Sequence, residues 1–254
     1  MKCMKHSRTI ILLIVLSLLV GCSSTPMGSE GKEKDSQPKQ EDTPISEFSY
    51  SYDANLQGVV IDEYLGKAIK VQIPSEIEGE PVVGIGYKAF FKRSDIMSVS
   101  IPITVKEIGI NAFYGCENLP SIELPDSLLT IGNDAFHGCK GLTTIKLPDS
   151  VTTLGEDVFC GCGNLVSVEL PNELTTISHG LFNGCRALEN VSIPNGITTI
   201  EIYSFMNCES LTHLDIPNSV TNIEWDAFYG TSNLDNETKE RILEIDPEHK
   251  SASW

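Results

Sequence analysis

Five cysteines, Cys116, Cys139, Cys162, Cys185 and Cys208, stand 23 residues apart. Thiols on such a schedule could hold a soft metal, pair as disulfides or act as nucleophiles. Cys160 falls outside the series and is the candidate for a free, reactive thiol. His137, His179 and His213 could ligate a metal or activate a nucleophile. Which of these chemistries is open depends on the elements that hold the side chains.

Those elements come from a repeat. Phenylalanine recurs at 90, 113, 136, 159, 182, 205 and 228, and proline at 102, 125, 148, 171, 194 and 217, at the same interval of 23. Aliphatic columns run in the same register, as in Leu119, Ile122 and Leu124 before the proline, then Leu128 and Ile131 after it. Apolar columns on both sides of the proline, two apart before it and three apart after it, predict two short extended segments per unit. One unit buries too little apolar surface to offset the entropy of ordering its own backbone, so neighbouring units must stack and pair their strands in parallel. The fold class expected is a repeat solenoid, mainly β. Repeats occupy residues 94–230. Residues 47–93 read as an N-terminal cap with a first irregular repeat, including a β-hairpin within 48–72 that turns at Leu65, Gly66 and Lys67. Residues 231–254 read as a C-terminal cap, a short helix capped by Asp235 or Asn236 with Ile242, Leu243 and Ile245 packed on the last coil. Lys92 and Arg93 replace Gly-Cys after Phe90, and Thr231 replaces cysteine after Gly230, so the cysteine column is interior.

Stacking decides the thiol chemistry. Side chains in one column point the same way, which leaves their Cβ atoms farther apart than the roughly 3.5–4.5 Å a disulfide needs. Four zinc ligands must converge on one point, and a column does not converge. The cysteines therefore read as small buried fillers. Cys160 shares its column with Phe91, Tyr114, His137, Asn183, Met206 and Tyr229, a mixture that suits a partly exposed position. The three histidines fall in different columns and read as surface residues. No G-x-S-x-G, H-E-x-x-H, EF-hand or Walker pattern occurs. Neither catalytic residues, nor a metal, nor a cofactor is expected.

The N-terminus carries a different message. Lys2, Lys5 and Arg8 precede an apolar run over 10–20 that is too short for a stable membrane span. The run ends in "LLVGC", residues 18–22, which resembles a bacterial lipobox. That resemblance implies a lipoprotein signal peptide over 1–21 and lipidation of Cys22. Residues 22–46 are polar, lack aromatics and read as a disordered tether. Across the 254 residues, 18 Lys and Arg against 35 Asp and Glu give a formal charge of −17, and the first 21 residues hold three of the bases and no acid. Such a charge repels nucleic acid and anionic lipid, leaving the membrane to be reached through the lipid anchor only.

The unit "LxxIxLPxSVTxIGxxAFxGC" resembles the BspA-like leucine-rich repeats of bacterial surface proteins, over residues 47–230. The resemblance implies a leucine-rich-repeat solenoid on an extracytoplasmic protein that adheres to extracellular-matrix proteins or neighbouring cells. By analogy with other leucine-rich repeats the strand before each proline carries the binding face. Its outward positions are Ser121, Glu123, Thr144, Lys146, Ser167, Glu169, Asn190, Ser192, His213 and Asp215, preceded by Ser98 and Ser100. A monomeric, protein-binding surface lipoprotein is expected. A structural role in envelope assembly stays open, and an enzyme would require polar groups converging in one pocket.

Overall fold

The computed structural model describes residues 42–248. The expected signal peptide, Cys22 and most of the expected tether lie outside the described residues. After a 3-10 turn at Ile45–Glu47, the N-terminal strands are β1 (Phe48–Asp53), β2 (Gly58–Tyr64), β3 (Lys70–Gln72), β4 (Glu76–Ile77) and β5 (Glu80–Ile85). The coils then supply β6 (Ser98–Ser100), β7 (Glu107–Ile108), β8 (Thr130–Ile131), β9 (Thr144–Lys146), β10 (Thr153–Leu154), β11 (Ser167–Glu169), β12 (Thr176–Ile177), β13 (Asn190–Ser192), β14 (Thr199–Ile200) and β15 (Asn222–Ile223). One helix, α1 (Asn236–Ile245), follows them. The result is a β-solenoid in which the segment after the proline is a strand in every coil and the segment before it in most of them.

All coil-to-coil strand pairs are parallel; in the regular coils the partners are one 23-residue unit apart, as in Ser167 with Thr144 and Asn190, whereas the longer first unit pairs Lys70 with Ser98, 28 residues on. The segments before the proline form β3-β6 and β9-β11-β13, and those after it form the run from β5 through β7 and β8 to β10, then β12-β14-β15. Residues 121–123 and 213–215, expected as strand, carry none. In the coils that do pair, Val166 and Glu189 donate their N–H to the preceding coil, at Thr143 O and Val166 O. The equivalent residue before Ser121 is Pro120, which has no N–H, so that rung of the ladder is missing. At 213–215 the coil meets the cap instead, and Leu214 N donates to Thr238 Oγ1 at 3.0 Å.

Each coil turns its corner around the phenylalanine through two left-handed residues. One column is Lys88, Asn111, Asp134, Asp157, Gly180, Tyr203 and Asp226; four residues on, the other is Lys92, Gly115, Gly138, Gly161, Gly184, Asn207 and Gly230. Glycine, Asn and Asp adopt this conformation most cheaply, which is why they dominate both columns.

The N-terminal cap differs from expectation in two respects. Its hairpin is β1 with β2, antiparallel, and the turn lies at residues 54–57, not at Leu65–Lys67. Asp53 Oδ1 accepts from Asn55 N (2.7 Å) and Leu56 N (3.0 Å), and Gln57 is left-handed, so the side chain of Asp53 builds the turn. Gly66 is a glycine for another reason: a Cβ there would collide with Tyr64 and Glu47 side-chain atoms. The ordered body also starts before residue 47, because Thr43 is buried and exchanges hydrogen bonds with Gln72 (Thr43 N to Gln72 O 3.0 Å, Gln72 N to Thr43 Oγ1 2.9 Å). The five extra residues between Pro74 and Phe90 are spent on a second hairpin, β4 to β5, turned by left-handed Glu78 and Gly79.

At the other end Asp235 is the N-cap of α1, its side chain accepting from Thr238 N at 2.8 Å. Ile242 is buried and Ile245 packs half-buried against the core, while Leu243 is half-buried.

Candidate binding face

The five scheduled cysteines, free thiols among the described residues, are fully buried. Each Sγ reaches back 26 residues to the carbonyl of a core phenylalanine: Cys116 to Phe90 (3.2 Å), Cys139 to Phe113 (3.1 Å), Cys162 to Phe136 (3.2 Å), Cys185 to Phe159 (3.1 Å) and Cys208 to Phe182 (3.3 Å). Thr231 Oγ1 makes the same bond to Phe205 O at 2.7 Å. Arg93, in the same column, donates to Tyr64 O at 3.1 Å. The two apparent departures from the repeat are thus chemical equivalents of cysteine. Burial pushes the Cys116 and Cys162 thiols up to about 12, only partly offset by backbone hydrogen bonds to the sulfur from Arg93 and from Cys139 and Gly138, which keeps them protonated and unreactive.

The phenylalanines stack ring on ring with centroids 5.0–5.9 Å apart from Phe90 to Phe228. Tyr64 and Phe48 continue the stack into the cap at 5.5 and 5.3 Å. From Phe90 to Phe205 the phenylalanine N–H donates forward to the next coil, as Phe113 N does to Ala135 O and Phe136 N to Val158 O. Tyr64 N donates to Ala89 O in the same manner, so Tyr64 is the first member of the phenylalanine column, concealed in the sequence by its altered spacing.

Cys160 is half-buried, and burial together with Asp157 and Asp134 pushes its thiol up to about 12. That is the opposite of the depressed pKa a reactive thiol requires. The histidines are paired with carboxylates instead of facing solvent alone. His137 Nδ1 lies 2.9 Å from Asp134 Oδ1, and His179 Nδ1 lies 3.6 Å from Asp157 Oδ2. His213 stands between Asp235 (Nδ1 to Oδ2 2.7 Å) and Asp215 (Nε2 to Oδ1 3.2 Å), which hold its pKa above the usual range.

The proposed face residues alternate with buried Ile122, Ile145, Val168 and Leu214 and with half-buried Val191. Ser121, Glu123, Thr144, Lys146, Glu169, Asn190, Ser192, His213 and Asp215 are exposed, and Ser167 is half-buried. Thr144, Ser167 and Asn190 lie in one register row, and Lys146, Glu169 and Ser192 in the next. Lys146 Nζ meets Glu169 Oε2 at 2.9 Å with both side chains open to solvent, so the pair relieves repulsion within the row and adds little stability. Glu169 raises the Lys146 pKa, with Asp149 and Asp126 contributing less.

The profile of the BspA type leucine rich repeat region, in six copies, matches residues 83–201 and 130–247. The chain belongs to this family. A leucine rich repeat protein of T. pallidum is 38% identical over 81% of this chain and 96% of its own, with a TM-score of 0.78. A leucine rich cell surface protein of Faecalibacterium prausnitzii is 31% identical over 78% of this chain, with a TM-score of 0.70, and a leucine-rich repeat protein of Bacteroides ovatus is 30% identical over 76%, with a TM-score of 0.58. The chain spans 54% and 57% of the length of those last two structures. No curated protein matches the chain.

Family membership accounts for the division of labour in the BspA type coil. Its inward columns build a uniform wall, and its outward columns differ from coil to coil, an arrangement suited to contacting another protein along many coils. Leucine-rich repeat proteins of this kind are interaction scaffolds, typically without enzymatic activity. Among the described residues no helix is long and apolar enough to cross a membrane.

Proposed function

We propose that the protein is a lipid-anchored bacterial surface protein that adheres to another protein, from the extracellular matrix or a neighbouring cell, through the outward columns of its strand face. The observation that carries this reading is the contrast within one coil. The inward positions repeat Ile, Val and Leu, whereas the exposed rows run Ser121, Thr144, Ser167, Asn190, His213 and Glu123, Lys146, Glu169, Ser192, Asp215. A wall needs only the first kind. A ligand bound along several coils uses the second.

The test is a pull-down with the compact unit from residue 40 onward against matrix proteins and envelope fractions. The partner's affinity is then measured for the double variant Glu123→Lys, Glu169→Lys, with folding checked by circular dichroism. A loss of tenfold or more is expected, while a control pair, Thr153→Lys with Thr176→Lys on the other segment, stays near the parent. Unchanged affinity in the first pair, or a larger loss in the control, reassigns the face. Recovery of envelope proteins alone turns the reading toward envelope assembly.

The anchor has its own test. Two or more acyl chains hold a protein on a membrane where one does so marginally. Cys22→Ala is expected to move the protein from the membrane fraction to the soluble fraction or to block its processing. A processed Cys22→Ala protein that stays with membranes refutes the lipid anchor.

A further inference from the structure

We propose that the junction between the last coil and α1 is a binding site for a divalent transition-metal ion, with His213, Asp235 and Glu237 as ligands. Each offers one ligand atom, and these atoms all lie within 4.8 Å of one another, the only such group of His, Cys, Asp or Glu among the described residues. Everywhere else stacking keeps like groups in parallel columns; here the chain leaves the repeat, and side chains from a coil and from a helix cap converge.

Three features favour a metal over a simple ion pair. Asp235 is aimed by its own fold: its Oδ1 accepts from Thr238 N at 2.8 Å as the helix cap, which turns Oδ2 toward the imidazole. His213 faces a carboxylate at both nitrogens, Asp235 at 2.7 Å and Asp215 at 3.2 Å. The protonated ring donates to both, whereas the neutral ring with its proton on Nε2 turns the Nδ1 lone pair toward Asp235, the arrangement a metal ion between them would occupy. A metal on Nδ1 with Nε2–H donating to Asp215 satisfies both sides, and a carboxylate behind a ligating histidine is the usual way such a ring is oriented. The surroundings are anionic as well. Glu240 and Glu244 line the same depression, and its one cation, Arg241, is committed to Glu244 at 2.9 Å and to Pro217 O at 3.4 Å.

The ligand set selects the metal class. One imidazole nitrogen with two carboxylate oxygens suits zinc and its neighbours, whereas calcium and magnesium take oxygen ligands. Zinc bonds of about 2.0–2.1 Å in tetrahedral geometry place ligand atoms roughly 3.3 Å apart. The Nδ1 to Oδ2 distance must therefore open by about 0.6 Å, within reach of side chains at the surface. Three protein ligands leave a position for water or for a donor from a partner.

Isothermal titration of Zn²⁺ into the unit from residue 40 onward is expected to show one saturable site. His213→Ala should weaken it at least 100-fold. Glu237→Gln, which leaves the cap bond intact, and Asp215→Asn should each weaken it about 10- to 100-fold. His137→Ala should change nothing, and in NMR spectra the ring signals of His213 should shift on titration while those of His137 stay in place. No saturable zinc binding up to millimolar concentration overturns the proposal. So does equal binding of Ca²⁺, which would mean diffuse attraction to carboxylates, or affinity unchanged in both His213→Ala and Glu237→Gln.

Discussion

At the scale of single residues, the schedule of cysteines solves a hydrogen-bonding problem. Every tight corner leaves a core carbonyl with capacity for another donor, and the next coil supplies it from a side chain that reaches the carbonyl. Cysteine, Thr231 and Arg93 are three solutions to one requirement. A hydroxyl can replace the thiol and a methyl cannot, so Cys162→Ser should retain about 0.5–1.5 kcal/mol more stability than Cys162→Ala, measured by chemical denaturation. Equal stabilities would mean that packing alone fixes the column. The column itself was legible in the sequence, as was the burial of its thiols. The equivalence of Thr231 and Arg93 was not, because an alignment compares residue types, whereas the corner selects for a donor that reaches the carbonyl.

At the scale of elements, two glycine columns serve different ends. Gly132 has an ordinary backbone conformation but sits against the neighbouring coil, where a Cβ would meet Ile110 N at 2.7 Å and Gly109 C at 2.9 Å. Gly138 is left-handed (φ 68°) with open space, its nearest neighbour Gly115 Cα at 3.9 Å. Gly132→Ala should cost about 3 kcal/mol through overpacking against backbone. Gly138→Ala should cost about 1 kcal/mol, the left-handed penalty less the entropy lost by the unfolded chain. The reverse order would show that corner conformation, not coil spacing, limits the stack. Elements were legible where they repeat. The hairpin turn was misplaced because Gly66 looks like a turn residue, while the turn is made by the side chain of Asp53. The missing rung at Pro120 follows from a single absent N–H that the apolar pattern does not register. The convergence of His213 with Asp235 and Glu237 was equally hidden, since the cap obeys no period.

At the scale of the whole molecule, the repeat length is the quantity the structure enforces. Removing residues 140–162, one unit of 23, returns every column to register and should leave a shorter solenoid with cooperative unfolding by circular dichroism. Removing 20 residues over the same stretch should abolish folding, because phenylalanine, cysteine and proline would each fall in another column. Phe159→Ala keeps the register but opens a void in the middle of the ring stack, and should cost about 3–5 kcal/mol. If the 20-residue deletion folds as well as the 23-residue one, the columns are less exacting than their burial indicates.

The corner bonds point one way. From Phe90 to Phe205 the phenylalanine N–H donates to the coil that follows, and the phenylalanine carbonyl accepts its extra donor from that same successor. A chain emerging N-terminus first, from a ribosome or a translocation pore, therefore always presents one corner whose core amide and carbonyl await a partner not yet delivered. The growing edge trails synthesis by one coil, and each arriving coil locks its predecessor like the tooth of a ratchet. The last coil has no successor of its own kind, so α1 and its cap, where Leu214 N donates to Thr238 Oγ1, supply the stop that a further coil would otherwise have to provide.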